Sequence, residues 1–294
     1  MKERNKKIFI TGICGFIGKN LAKMALQSGY EVFGADIKNS SIPNATVFRA
    51  DIRDKEKMRG LTKHMDYIVH LAAVTSNLEF EKRMEYSYEV NVNGFNSVIE
   101  AAHKNGCSKF LYASSASLYA NNFSEDAKLN SEKQKNHYAK TKIINELTAA
   151  SFSDAGLLDT IGLRYFNVYG SGENEKGNYA SIISQFIKDT KKGKPLIIYG
   201  DGEQSRDFIF VEDAVEITLL LLNKGVHKIY NVGTGKSSKY NDIAAKINKN
   251  QNTKHIKNPL SAYQFFTKSD NKRLFSSAGN YRFKTLDEGL ASML

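Results

Sequence analysis

The sequence predicts an α/β protein built on a doubly wound parallel sheet, with a smaller discontinuous second unit. Three observations carry that expectation. From residue 6 onward, short β-rich apolar runs alternate with amphipathic helical stretches, the pattern of βαβ units feeding a parallel sheet. A glycine-rich turn follows the first apolar run directly. The length of 294 residues exceeds one ordinary domain of about 150.

The expected strands are residues 7–11, 31–36, 46–51, 67–72, 109–114 and 159–164, with helical patterns at 16–28, 86–104 and 138–153 between them. Crossovers of one hand leave few topologies for such a series, and they put a nucleotide at the carboxyl ends of the strands. Regularity drops after Tyr169. Gly170-Ser171-Gly172 opens a polar loop, a helix is expected at 179–191 and a short strand at 196–199, then an apolar helix at 211–223. Residues 228–232 read as a strand returning to the main sheet. The expected division is a nucleotide-binding domain of residues 1–169, rejoined by a strand and helix near 208–235, and a substrate-binding domain of 170–207 and 236–294. The polar, Lys- and Asn-rich stretch 248–269 receives no assignment.

Apolar residues at 41% and charged residues at 25% are ordinary for a folded globular chain. The mean hydropathy of −0.43 and the lack of a long apolar run exclude a membrane span. Cys14 and Cys107 make neither a disulfide framework nor a metal-ligand spacing, so no metal is expected. The basic amino-terminal residues are followed by only three apolar residues before Thr11. That is no secretory signal, and a cytoplasmic setting is expected. The 42 basic and 31 acidic residues leave a net charge of +11. Residues 224–294 hold 13 basic against 4 acidic, so they carry +9 of it. The basic residues there are not interleaved with aromatics as in a nucleic-acid groove; steering of an anionic small molecule fits better.

Gly12-Ile13-Cys14-Gly15-Phe16-Ile17-Gly18 lies between the first strand and a helix. Glycines there let backbone N–H groups and the positive helix end approach a pyrophosphate. Asp36 closes the second strand, where a carboxylate accepts from a ribose 2′-hydroxyl. Its charge favours NAD, while Lys38 leaves NADP as the alternative. Tyr138 and Lys142 stand four apart at the start of an expected helix, on one face. An ammonium so placed lowers a phenol pKa and orients a cofactor ribose. A free phenol near pKa 10 is a poor base at neutral pH.

The G-x-x-G-x-x-G spacing resembles that of the extended short-chain dehydrogenase/reductase family, which has a Rossmann-type fold. Asp51-Ile52, His70-Leu71-Ala72-Ala73 and Asn91 agree with it in order. The resemblance implies cofactor contacts at Gly12, Gly15, Phe16, Ile17, Gly18, Asp36, Lys38, Asp51, Ile52, Leu71, Ala72, Ala73, Asn91, Tyr138, Lys142 and Tyr165. It also implies a hydroxyl on the reacting oxygen within Tyr112-Ala113-Ser114-Ser115-Ala116-Ser117-Leu118-Tyr119. The offset from Tyr119 selects Ser115 over Ser114. Ala120 departs from the glycine common in relatives.

Arg164-Tyr165-Phe166-Asn167-Val168-Tyr169-Gly170, the run from Tyr199 to Asp213 and Asn231-Val232-Gly233-Thr234-Gly235 resemble the nucleotide-sugar epimerases of that family. The likeness implies that Asn167 and Arg206 contact a nucleotide-sugar diphosphate. Glu175-Lys176-Gly177-Asn178-Tyr179-Ala180-Ser181 and the stretch from Tyr263 to Asp270 resemble ADP-glycero-manno-heptose 6-epimerases. There the lysine is a second acid/base, which implies the same for Lys176 and a substrate contact for Tyr263. The runs from Ile198 to Gln204 and from His70 to Ala73 read more like UDP-sugar 4-epimerases. A 4,6-dehydratase is disfavoured, because relatives of that kind carry Thr-Asp-Glu where this chain has Ser115-Ala116-Ser117. The expected protein is a homodimer, paired through helices 86–104 and 138–153, that binds a nucleotide-diphosphate sugar but neither nucleic acid nor membrane.

Overall fold

The computed structural model describes residues 4–119, 123–127, 129, 134–173, 176–177, 180–226, 228–248, 252–258 and 264–294, without the side chains of Asn77 and Lys228. The first half runs β1 (Lys7–Thr11), α1 (Phe16–Gln27), β2 (Glu31–Asp36), β3 (Thr46–Arg49), α2 (Lys55–Leu61), β4 (Tyr67–His70), α3 (Asn77–Lys82), α4 (Met84–Tyr88), α5 (Gly94–Lys104), β5 (Lys109–Ser115), α6 (His137–Asp154) and β6 (Thr160–Tyr165). The second half runs β7 (Asn167–Tyr169), α7 (Ile182–Lys191), β8 (Leu196–Tyr199), β9 (Ser205–Phe210), α8 (Val211–Lys224), β10 (Lys228–Val232), β11 (Ser237–Lys239), α9 (Tyr240–Ile247), β12 (Thr253–Ile256), α10 (Lys272–Ala278) and α11 (Leu286–Ala291).

Seven strands form one parallel sheet in the order β10-β6-β5-β4-β1-β2-β3. Near-continuous apolar runs such as Ile8-Phe9-Ile10 suit strands covered on both faces. On one face α1 and α8 seal Ile8, Ile10, Leu111 and Leu163 beneath Leu21, Ala25 and the leucines of α8. On the other, Phe95, Val98 and Ala102 of α5 pack with Met58 and Ala149 over Phe9, Ile68 and Phe110. This is the doubly wound α/β sheet that the sequence predicts, and β10 is the returning strand. Among the described residues no helix is long and apolar enough to cross a membrane.

Several elements differ from expectation. Strands β3 and β4 each stop two residues early; the Ala50 and Leu71 N–H groups still bond the Asp36 and Thr11 carbonyls, and the chain beyond them walls the cleft described below. The single helix expected at 86–104 is interrupted by a π-helical segment, Glu89–Asn93. Strand β9, for which the sequence carried no assignment, pairs with β7 and β11 in a separate three-stranded sheet. The break comes at Phe166, whose N–H bonds the Val232 carbonyl while β7 departs. The unassigned stretch 248–269 contains β12, with all four residues exposed and parallel to β8. Without a buried face it has no alternation to read.

A buried ion pair braces the sheet beneath α6. Arg164 donates to both carboxylate oxygens of Glu146, Nε at 2.9 Å and Nη2 at 2.7 Å, with both side chains under a tenth exposed. Burial alone would drive the guanidinium toward neutrality, but Glu146 holds its pKa above the usual value. The Ser114 hydroxyl completes the pair by donating to Glu146 at 2.5 Å. Removing one partner leaves an uncompensated buried charge, at a cost of about 3–5 kcal/mol. Arg164→Met is therefore expected to lose about that much stability by urea unfolding. Pairing it with Glu146→Leu should recover part of the loss; an unchanged unfolding midpoint in Arg164→Met would show that the pair contributes little.

Candidate active site

The carboxyl ends of the central strands border a cleft of about 480 Å³. Its first wall is the glycine turn. Gly12 has φ +70°, and a Cβ there would stand 2.8 Å from the Ala72 nitrogen. At Gly18 a Cβ would stand 2.2 Å from the Gly12 carbonyl. The turn thus lies directly on the end of β4, and α1 starts directly beneath the turn. Gly12, Gly15, Phe16, Ile17 and Gly18 all line the cleft. At its edge Asp36 accepts from the Cys14 N–H (3.0 Å) and from the Lys38 N–H (2.9 Å). Both Asp36 and Lys38 also line the cleft. A backbone cradle that no side chain could share, with a carboxylate at the end of β2, fits a dinucleotide.

Asp51 and Ile52 form the next stretch of wall, with Leu71, Ala72 and Ala73 opposite. The Asp51 carboxylate is held by the Arg53 guanidinium, Nη2 to Oδ2 at 2.6 Å, and this bond keeps its pKa below the usual carboxylate range. His70 lies behind the wall rather than in it. Burial pushes its imidazole down to about 3, so the ring is neutral, and it shares a hydrogen bond with Thr11 Oγ1 at 2.9 Å. Asn91 is also off the wall, buried in the π-helical segment. Its amide donates to the Val74 carbonyl and to Thr141 Oγ1, and its oxygen accepts from the Val74 N–H. Thr141 in turn donates to the Tyr138 carbonyl at 2.7 Å. The side chain expected to touch cofactor instead ties the loop after β4 to the start of α6.

Ser115, Tyr138 and Lys142 meet at the far end of the cleft. Lys142 sits 5.6 Å from the Tyr138 ring centroid and donates to the Ala113 carbonyl at 2.7 Å. An ammonium has three donors, so two remain. Burial lowers the Lys142 pKa to about 8 against the opposing pull of Glu146. The enclosing walls push the Tyr138 phenol up to about 12, and a side-chain hydrogen bond with Ser115 draws it down. The two candidate serines separate: the Ser114 hydroxyl is committed to Glu146 in the core. Tyr165 also lines the cleft, its hydroxyl bonded to Thr218 at 2.7 Å. Lys176 enters from the loop after β7, its ammonium 4.6 Å from the Phe16 ring centroid and 3.4 Å from Glu173.

A model of the NAD dependent epimerase/dehydratase family matches residues 8–233. The chain belongs to that family. Its cofactor is NAD, in keeping with the charge on Asp36. The chain is 33% identical over 258 residues to a UDP-N-acetyl-alpha-D-glucosaminuronate decarboxylase of Bacillus cytotoxicus, covering 82% of this chain and 79% of the relative. It is 28% identical to an ADP-L-glycero-D-manno-heptose-6-epimerase of Cupriavidus pinatubonensis, covering 97% and 96%. The structure superposes on a UDP-glucose 4-epimerase of Thermotoga maritima solved with UDP-glucose, with a TM-score of 0.87 at 25% identity, covering 97% and 96%.

Two residues expected at the substrate of this family member stand outside the cleft wall. Asn167 donates to the Asp207 carbonyl at 3.0 Å. Arg206 is buried, its guanidinium 5.8 Å from the Tyr240 ring centroid. Tyr263, Ala120, Glu175, Asn178 and Tyr179 lie outside the described residues. Sequence reasoning missed Arg53 and Tyr86 at the cleft mouth, where the guanidinium lies 4.9 Å from the ring centroid. It missed Gln264, which donates to the Ala116 and Tyr119 carbonyls across 145 or more residues of chain. No local pattern marks such a contact.

The turn gives a direct test of cofactor fit. Gly12→Ala forces a side chain into left-handed backbone, at about 1–2 kcal/mol, and into contact with Ala72. Purified variant is expected to carry less NAD and to bind it at least about tenfold more weakly by calorimetry, equivalent to about 1.4 kcal/mol. Full NAD occupancy in Gly12→Ala would refute the close approach.

Proposed function

We propose that this protein is a nucleotide-diphosphate-sugar epimerase working by transient hydride transfer to bound NAD, most like an ADP-glycero-manno-heptose 6-epimerase. The observation that carries the reading is Lys176, which lines the same cleft as Ser115, Tyr138 and Lys142. Likeness to the Cupriavidus 6-epimerase along nearly the whole chain supports it. Bound NAD supplies the acceptor for a hydride from the substrate carbinol and returns that hydride.

Each protein group then has a task set by its chemistry. Tyr138, as phenolate, takes the hydroxyl proton. The Lys142 charge favours that phenolate and holds the cofactor ribose. Ser115 donates a hydrogen bond to the reacting oxygen. Inversion needs the hydride returned to the opposite face of the ketone, either with a second acid/base there or with one base and a ketone that swings over; in this reading Lys176 is the second acid/base. Residues 170–207 and 236–294 hold the nucleotide sugar in this reading; Arg206, outside the cleft wall, suits a diphosphate through its fork of N–H donors.

A UDP-sugar 4-epimerase is the second reading, favoured by the match to the Thermotoga enzyme and by the ion pair of Lys176 with Glu173. Under it Tyr138 serves both proton transfers and Lys176 remains paired. A substrate panel read by NMR, with ADP-heptose, UDP-glucose, UDP-GlcNAc and a UDP-hexuronate, separates the possibilities carbon by carbon. Tyr138→Phe should lower turnover by about 10²–10⁴-fold. Lys176→Met should stop inversion yet leave bound NAD reducible by substrate; inversion within a few-fold of the parent would favour the second reading. Net NADH release would mean a dehydrogenase, carbon dioxide release a decarboxylase, and no inversion of any sugar would end the proposal.

The exposed Ile144 and Leu147 on α6 support a homodimer paired through this helix and α5. Light scattering should read twice the 32.9 kDa chain mass; a monomer throughout the micromolar range would refute it.

A further inference from the structure

The hydroxyl of Ser115 is not free to turn. Ser115 caps the short 3₁₀ turn Ala116–Leu118, and its Oγ accepts from the Ser117 N–H at 3.1 Å. The Ser117 hydroxyl donates to the same oxygen at 2.9 Å. A serine oxygen offers two acceptor sites and one proton. Both acceptor sites are filled by Ser117, which is not part of the cleft lining. We propose that Ser117 is a positioning residue that makes Ser115 a hydrogen-bond donor, and only a donor, toward the cleft.

The arrangement is braced on both sides. Gln134 Nε2 donates to the Ser117 carbonyl at 3.3 Å. Gln264 Nε2 donates to the Ala116 and Tyr119 carbonyls at 3.4 and 3.2 Å. Ser117 cannot easily swing away from a turn fixed at its carbonyls. The chain Ser117 O–H to Ser115 O–H to the cleft also polarises in one direction, which strengthens the final donor.

The consequence concerns Tyr138. Around its ring stand the Lys142 ammonium on the same helix, the Ser115 hydroxyl from β5 and the apolar Phe80 ring from α3. The preceding His137 is bonded to Tyr88. A Ser115 able to accept would bond the neutral phenol and hold its proton in place. A Ser115 restricted to donation gives its one proton to the phenolate or to the reacting oxygen and never holds the phenol proton, which favours proton removal. A hydroxyl at 117 therefore contributes to the hydride-transfer site without touching substrate.

The orientation of Ser115 is independent of the proposed reaction; its catalytic effect rests on that reading. Neutron diffraction of deuterium-exchanged holoenzyme crystals reads the orientation with no substrate. The Ser117 deuteron should point at Ser115 Oγ and the Ser115 deuteron into the cleft; a Ser115 deuteron pointing at Ser117 would overturn the proposal. Ser117→Thr and Ser117→Val form a pair of one shape differing in the hydroxyl. On the sugar found by the panel, the Thr variant should keep parental turnover. The Val variant should lose about tenfold in kcat, as one hydrogen bond of about 1.4 kcal/mol implies, with KM and NAD content unchanged and the acid limb of its pH profile moved up. Equal profiles for Thr and Val would exclude a catalytic effect. A parental neutron map with no active sugar would fault the reaction and leave the orientation standing.

Discussion

Two opposite charges buried under one helix set the geometry of the cleft. Glu146 lies one turn along α6 from Lys142, and Arg164 holds it from the neighbouring β6. Neither charge tolerates separation from the other in a buried site, and this pins α6 to the sheet. Tyr138 and Lys142 come from that helix, whereas Ser115 comes from β5, paired beside β6. Three side chains from two elements therefore meet because a fourth and fifth, outside the cleft wall, are locked together. The carboxylate also acts through space, opposing the burial that lowers the Lys142 pKa.

The same pair reaches the second half of the chain. Arg164 Nη1 donates to the Tyr119 hydroxyl, which donates to Asn231 at the end of β10. The Asn231 amide donates to the Phe123 and Asp270 carbonyls. A parallel hub stands at Asp207. This fully buried carboxylate accepts from the N–H groups of Thr234, Gly235 and Ser269 and from the hydroxyls of Thr234 and Ser269. Segments far apart in sequence are thus joined by charge-assisted bonds, beside the apolar cluster that Ile183, Phe186, Phe208, Phe210 and Ile243 form in this half of the chain.

What was legible in the sequence follows from periodicity and from local turns. Strands buried on both faces, such as β1 and β2, announce themselves as apolar runs, and their bounds agree with expectation. The glycine turn is legible because its constraint is local: positive φ at Gly12 and close approach at Gly18 both admit little but glycine. β12 was not legible, being exposed on both faces. The place of β9 was not legible either, since an apolar run does not say which sheet receives it. The π-helical segment has the composition of any helix. Its signature is the irregular ladder, and that is how Asn91 reaches both Val74 and Thr141 rather than the cleft. Contacts such as Gln264 with Ala116 depend on the finished fold.

Lys176 shows where spacing and position part company. Its motif resembles that of a second acid/base, but its ammonium rests between an aromatic face at the glycine turn and a buried carboxylate. Glu173 also accepts from the Ser181 and Ser184 hydroxyls and from the Ser181 N–H. A carboxylate so well supplied with donors can release the lysine at little cost, because three other bonds remain. The 3.4 Å pair is also long for a charge-assisted bond. The structure thus presents a cation restrained on one side and open to the cleft on the other. That state is the one that the proposed proton exchange with a ligand requires.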